Sequence, residues 1–161
     1  MTTPTYDLLA STVLTGDASS ITFSSINQTY KHLILSGNLK SSNDAYAEIR
    51  FNGSSSGYAY LTIEGNSSGD PITYRATSSS YASTGYYTPS VRAEGSNLYA
   101  EILDYTGSNQ KSLCVRNGSS EDVLTLVANT WNNTAAINQI QVSTNYDMTT
   151  GSTLQIYGLA G

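Results

Sequence analysis

Apolar residues recur at alternate positions in short runs, and clusters of Gly, Asn, Asp and Ser divide one run from the next. That period of two is the signature of strands buried on one face and joined by tight turns. Asp7 to Leu14 opens the series, and Ile21-Thr-Phe23 follows a turn at Gly16-Asp17. The strongest run is Tyr30 to Gly37, with Leu33 and Leu35 on one face and His32 and Ile34 on the other. Both faces carry apolar weight, so the run predicts a central strand. Tyr46 to Phe51 puts Tyr46, Glu48 and Arg50 on one side and Ala47, Ile49 and Phe51 on the other, a half-buried strand with an ion pair available on its polar face.

Asn52 to Gly57 reads as a loop, because Asn-Gly supplies positive φ at small steric cost. Tyr58 to Glu64 is its partner strand. From Gly65 to Ser96 the alternation weakens: Ile72 to Ala76 and Ser80 to Thr88 predict edge strands or a long excursion, with Pro71 and Pro89 marking where a ladder cannot continue. This stretch is the expected functional loop region. Alternation returns in Leu98–Tyr105, Lys111–Arg116, Val123–Trp131, Ile137–Val142 and Thr153–Leu159. About ten strands without helix signals predict an all-β, single-domain antiparallel β-sandwich, jelly-roll-like, over residues 7–161, preceded by a flexible N-terminal arm at residues 1–6.

Composition narrows what such a domain does. Hydrophobic residues are 39% of the 161, charged residues only 12%, and thirteen tyrosines supply ring area that keeps a hydroxyl for water. The exterior is therefore polar without being ionic, which suits contact more than catalysis. A net charge of −5 with singly scattered Lys and Arg argues against nucleic acid and anionic membranes as partners. Neither a signal peptide nor a membrane span is recognisable. The lone Cys114 cannot form an internal disulfide, and its setting in Leu113-Cys-Val-Arg116 predicts a small buried apolar residue. Asn27, Asn52, Asn66, Asn117 and Asn132 each begin an N-x-Ser/Thr triplet and are read as turn residues.

No catalytic residue, cofactor or metal is expected. His32 is the single histidine and lies in an apolar strand, where a packed or interface role is the plain reading, so a Ser-His-Asp or Cys-His centre and the ordinary zinc sites are disfavoured. Glu64, Glu94, Glu101 and Asp104 belong to no motif and are expected to be solvated. Asp44, Asp70, Asp122 and Asp147 fall in turns without calcium-loop spacing. There is no phosphate-binding loop and no dinucleotide fingerprint. What remains is aromatic contact: Tyr81, Tyr86 and Tyr87 in the irregular middle segment are candidate binding residues, whereas Trp131, beside Asn132 and Asn133, is expected in the core.

Phe23-Ser-Ser-Ile26, Gln28 to Leu35, Arg50-Phe-Asn-Gly53 and Tyr58-Ala-Tyr60 ahead of Gly65-Asn66 resemble a module of virion structural proteins from tailed bacteriophages, cyanophages among them. Glu101 to Tyr105 with Gln110-Lys111, Trp131 to Ile137, and Gly151-Ser152 to Ile156-Tyr-Gly158 continue the resemblance in the same order, so that it spans residues 7–159. Asn27 stands where that family often has Pro, and residues 67–97 carry little of its pattern. The resemblance implies a non-enzymatic particle component. It is either a capsid decoration (cement) protein on the outer shell or the head of a tail fibre or spike that binds a host-surface glycan or receptor. Met1 to Gly161 contains no fibre shaft, heptads or triple-helical repeat, which favours decoration. The expected partners are then the major capsid protein and copies of this chain, as a homotrimer, with Thr3, Pro4 and Tyr6 of the arm joining the contact.

Overall fold

The computed structural model describes residues 6–65, 69–85, 91–119 and 123–160, with the side chain of Val123 excepted. Among them the chain is all-β. Its strands are β1 (Tyr6–Val13), β2 (Ala18–Ser24), β3 (His32–Leu39), β4 (Ala47–Phe51), β5 (Tyr58–Gly65), β6 (Ile72–Ser79), β7 (Ala82–Ser83), β8 (Ser96–Leu103), β9 (Lys111–Ser119), β10 (Val123–Trp131), β11 (Gln139–Met148) and β12 (Thr153–Leu159). They form an eight-stranded sheet in the order β1-β12-β3-β8-β9-β10-β5-β6 and a four-stranded sheet in the order β2-β11-β4-β7. Every pairing between these strands is antiparallel. The chain crosses repeatedly from one layer to the other, as in a jelly roll, and the two inner faces enclose one core.

The period of two explains the layers. Leu33, Leu35, Ala100, Ile102, Leu113, Val115, Val127, Leu154 and Ile156 point inward from the large sheet and meet Ile49, Phe51, Ile140 and Val142 of the small one. At one end Trp131 stacks on Tyr58 with ring centroids 6.0 Å apart and tilts against Phe51 at 5.5 Å. Trp131 is thus core, as its strand setting predicts. β3 is central, flanked by β12 and β8, and the segment with weakened alternation supplies the edges β6 and β7. On β4, Arg50 and Glu48 make the ion pair that their shared face allows, at 2.6 Å.

Several expectations change. Tyr6 is not part of an arm but the first residue of β1, paired with Leu159. Cys114 is exposed rather than buried: Leu113 and Val115 occupy the inward positions of β9, and its alternation turns Cys114 outward. The same phase makes Asn117 a buried strand residue and not a turn residue. Asn52 does sit in a turn, at φ 52° beside Gly53 at φ 68°, with the Ser54 N–H donating to the Phe51 carbonyl at 2.9 Å. Two adjacent left-handed residues make a tight turn, but it joins the two layers and closes no hairpin: β4 pairs with β11 and β7, and β5 with β10 and β6, so Tyr58 to Glu64 is not the partner strand that the sequence predicts. Tyr30 lies outside β3; its ring crosses the backbone at Gly158, where a Cβ would come within 2.4 Å of the ring, and its hydroxyl donates to Asp7 at 2.6 Å.

Candidate functional site

Of the residues singled out from the sequence, the two that are described, Tyr6 and Tyr81, lie at opposite edges of the large sheet. Thr3, Pro4, Tyr86 and Tyr87 lie outside the described residues. Tyr81 is half-buried, its ring stacked with Tyr60 at 6.3 Å and lying under the Arg50 guanidinium at 5.8 Å. Those contacts engage the ring surface that a sugar or partner would use. Tyr6 is exposed at the end of β1, on the outer face of the large sheet.

That outer face is the feature which the sequence reading missed. In β5 the inward residues are Tyr58, Tyr60, Thr62 and Glu64, and Leu61 and Ile63 point to solvent. In β10 Thr125, Val127, Asn129 and Trp131 point inward while Leu124 and Leu126 are exposed. Over Leu61–Glu64 of β5 and Leu124–Leu126 of β10 the hydropathy is therefore reversed relative to a water-facing sheet. Inside, Glu64, Thr125 and Asn117 lie in one cross-strand row, and Asn129 exchanges hydrogen bonds with Ser83 at 2.7 and 3.1 Å, so β7 covers polar groups there. The outside shows aliphatic chains. The available signal was that two neighbouring strands each alternate Leu or Ile with Thr, Glu or Asn, a pattern whose buried phase depends on what covers each face.

The pairing register arranges the outer side chains in rows. One runs Arg75, Leu61, Ala128, Cys114, Glu101, Ile34, Tyr157 and Leu8 across all eight strands. Next to it run Ile63, Leu126, Arg116 and Tyr99. On the β6–β8 half a shallow hollow of about 660 Å³ has a floor of small residues, Ala59, Ala128, Cys114 and Ser112, between Leu61 and Leu103. The other half is aromatic and charged. A smaller hollow of about 240 Å³ is lined by Tyr6, His32, Tyr99 and Glu101. Arg116 lies over the Tyr99 ring at 4.4 Å and bonds Glu101 at 2.7 Å. Burial, reinforced by the hydrogen bond to Glu101, raises the Tyr99 hydroxyl above its ordinary pKa. His32 Nδ1 accepts the Asp104 N–H at 3.0 Å and so orients the start of β3.

A second exposed element is the free edge of β1. Among the described residues no strand pairs with its outer side, and Tyr6, Leu8 and Val13 are exposed along it. Its one charged residue, Asp7, is held by Tyr30. Behind it, where β1 and β2 border the opening between the sheets, lies a hollow of about 360 Å³ lined by Leu8, Leu9, Phe23, Ile26 and Ile156.

The carboxylates considered for chemistry are separated by the sheet itself: Glu64 is buried on the inner face, not solvated as expected, because the phase of β5 turns it inward, and Glu101 faces outward. Asp44 holds Arg92 through both oxygens, at 3.1 and 3.2 Å. Among the described residues no three His, Cys, Asp or Glu side chains come together as metal ligands. Lys111 is buried and donates to the carbonyls of Gly107 and Asn109; burial lowers its pKa, against the opposing pull of Asp104.

No family model and no curated protein matches the chain. Among solved structures it is similar to the galectin LEC-6 of Caenorhabditis elegans, with 7% sequence identity and a TM-score of 0.35, over 94% of this chain and 96% of that one.

Proposed function

We propose that this protein is a non-enzymatic structural component of a tailed-phage particle, a decoration subunit that docks on the outside of the capsid. The observation that carries the reading is the free edge of β1. Natural sheets blunt such edges with lysine, proline or very short strands. Here eight residues run along the edge, with one bulge between Leu8 and Ala10, Leu8 and Val13 exposed, and behind them a hollow lined both by apolar residues and by Thr22, Ser24 and Asn27. An extended segment of a capsid protein that adds to β1 gains ladder hydrogen bonds, and one of its side chains enters the hollow. The sequence resemblance to virion proteins supplies the setting, and repetition over a symmetric shell turns modest contacts into firm attachment.

The test is rebinding of the purified protein to capsids lacking it, followed by electron microscopy and thermal challenge. Attachment at regular sites with a raised disruption temperature is expected. A double variant Leu8→Lys, Val13→Lys, which charges the edge, is expected to stay folded by circular dichroism and to lose attachment. Unaltered shells after saturation, or full binding by the double variant, would overturn the proposal.

The hollow at Tyr6, Tyr99 and Glu101 favours a second reading, the head of a tail fibre that binds a host-surface glycan. Aromatic rings beside a carboxylate and a guanidinium offer stacking and paired hydrogen bonds to a sugar. Binding to host-surface glycan that is lost in Tyr99→Ala, with no affinity for capsids, distinguishes this reading.

A further inference from the structure

We infer that the apolar half of the large sheet's outer face is the contact between two copies of this chain, related by a two-fold axis that runs along β10. The inference rests on the side chains of that face and is independent of the particle in which the protein works.

The first ground is the reversed hydropathy of β5 and β10. Leu61, Ile63, Leu103, Leu124 and Leu126 are each close to half exposed or more, reaching 69% at Leu124, and they are contiguous across β5, β10 and β8 together with Ala128 and Cys114. A contiguous aliphatic surface of this kind is a contact surface. The five strands β6-β5-β10-β9-β8 and the seven residues from Leu124 to Thr130 give a footprint of roughly 20 Å by 20 Å at usual strand spacing. With side-chain relief that covers on the order of 1,000 Å² over two copies, the lower bound for a biological interface and the range of weak, reversible association.

The second ground is that the face matches itself. Let two large sheets meet face to face, as sheets pack in sandwiches, with the two-fold axis between them and parallel to β10. β10 then lies over β10 of the second copy, β5 over its β9, and β6 over its β8. In the row Arg75, Leu61, Ala128, Cys114, Glu101, the first residue meets the last and the second meets the fourth. Arg75 therefore faces Glu101 of the second copy, and no ion pair of Arg75 exists among the described residues of its own chain. Leu61 faces the small Cys114 and projects into the hollow floored by Ala59, Ala128 and Ser112. In the row Thr73, Ile63, Leu126, Arg116, Tyr99, Leu126 meets Leu126 on the axis, Thr73 meets Tyr99, and Ile63 lies against the aliphatic stem of Arg116. Arg75 and Glu101 oppose as unlike charges, Leu61 faces a small residue, and each contact off the axis occurs twice. A surface that matches itself in this way closes as a pair, in contrast to the homotrimer expected from the sequence resemblance.

Sedimentation equilibrium of the isolated full-length protein tests the inference, and rebinding to capsids tests the preceding one, so the two fail separately. A reversible monomer–dimer equilibrium at micromolar concentrations is expected. Leu126→Asp should abolish it with an unchanged circular dichroism spectrum. Arg75→Glu and Glu101→Arg should each weaken dimerisation about tenfold or more, and the double exchange should recover much of the loss, because each new charge again faces its opposite. A monomer at all concentrations, a trimer, dimerisation that survives Leu126→Asp, or a double exchange as weak as the sum of the singles would overturn it.

Discussion

Asn52 clasps Asn138 across the end of the small sheet: its side-chain oxygen accepts the Asn138 N–H at 2.9 Å and the Gln139 N–H at 3.1 Å, while its amide donates to the Ala136 carbonyl at 2.8 Å. The same residue occupies the left-handed region, at φ 52°. One side chain thus fixes both the β4–β5 turn and the entry into β11. Asn52→Gly keeps the backbone conformation and removes three hydrogen bonds, with an expected loss of about 1–3 kcal/mol. Asn52→Ala adds the cost of positive φ and should lose about 1 kcal/mol more. Urea unfolding of both variants measures the order. Equal stability of wild type and Asn52→Ala would refute the clasp.

Tyr58 carries two loads. Its ring stacks on Trp131, and its hydroxyl accepts the Phe51 N–H at 2.8 Å in a buried setting. Tyr58→Phe preserves the stack and leaves that N–H without its partner, so a loss of about 1–3 kcal/mol is expected. Trp131→Ala opens a cavity among Tyr58 and Phe51 and should cost about 3–5 kcal/mol. Thermal unfolding followed by circular dichroism separates the two. A Tyr58→Phe protein as stable as wild type would show that the hydroxyl is not used.

These side chains also mark how far the sequence could be read. Strands were legible because Leu33 and Leu35, or Ile49 and Phe51, repeat with a period of two whatever surrounds them. The turn at Asn52-Gly53 was legible because only a few residue types accept positive φ. Which phase of a strand lies inside was not legible in β5, where Leu61 and Ile63 lost the interior to Thr62 and Glu64. That choice depends on what covers each face, which is a tertiary fact. Cys114 is the milder case, since Leu113 and Val115 already set the phase of β9 and only the apolar character of the run suggested burial.

Gly37 sits where β3 passes β12, and a Cβ there would lie 2.2 Å from the Thr153 carbonyl oxygen, a backbone atom. Neither strand can withdraw without breaking the centre of the large sheet. Gly37→Ala is expected to cost at least about 3 kcal/mol, or to yield insoluble protein. Gly16→Ala is the control: nothing lies within 4 Å of its Cβ position, and a change within about 0.5 kcal/mol is expected. Equal behaviour of the two variants in urea would contradict the register of β3 and β12.

Alkaline pH should unfold the domain cooperatively. Burial raises the hydroxyl pKa of Tyr58, Tyr99 and Tyr105, and the hydrogen bond to Asp7 raises that of Tyr30. Above the ordinary tyrosine value of about 10 the unfolded chain releases these protons while the folded chain keeps them. The folded state then binds more protons, and stability falls as pH rises, by up to about 1.4 kcal/mol per pH unit for a fully buried group such as Tyr58 or Tyr105. Lys111 acts in the opposite sense. Its folded pKa is lowered, so the unfolded chain binds more protons between that value and about 10.5, and stability gained there offsets one tyrosine. The tyrosines outnumber the lysine, and the net slope above pH 10 is downward. Urea midpoints measured between pH 8 and 11.5, with tyrosinate absorbance followed in parallel, check this. Lys111→Met should steepen the decline, and a midpoint that rises through pH 11 would show that the buried tyrosines do not control alkaline stability.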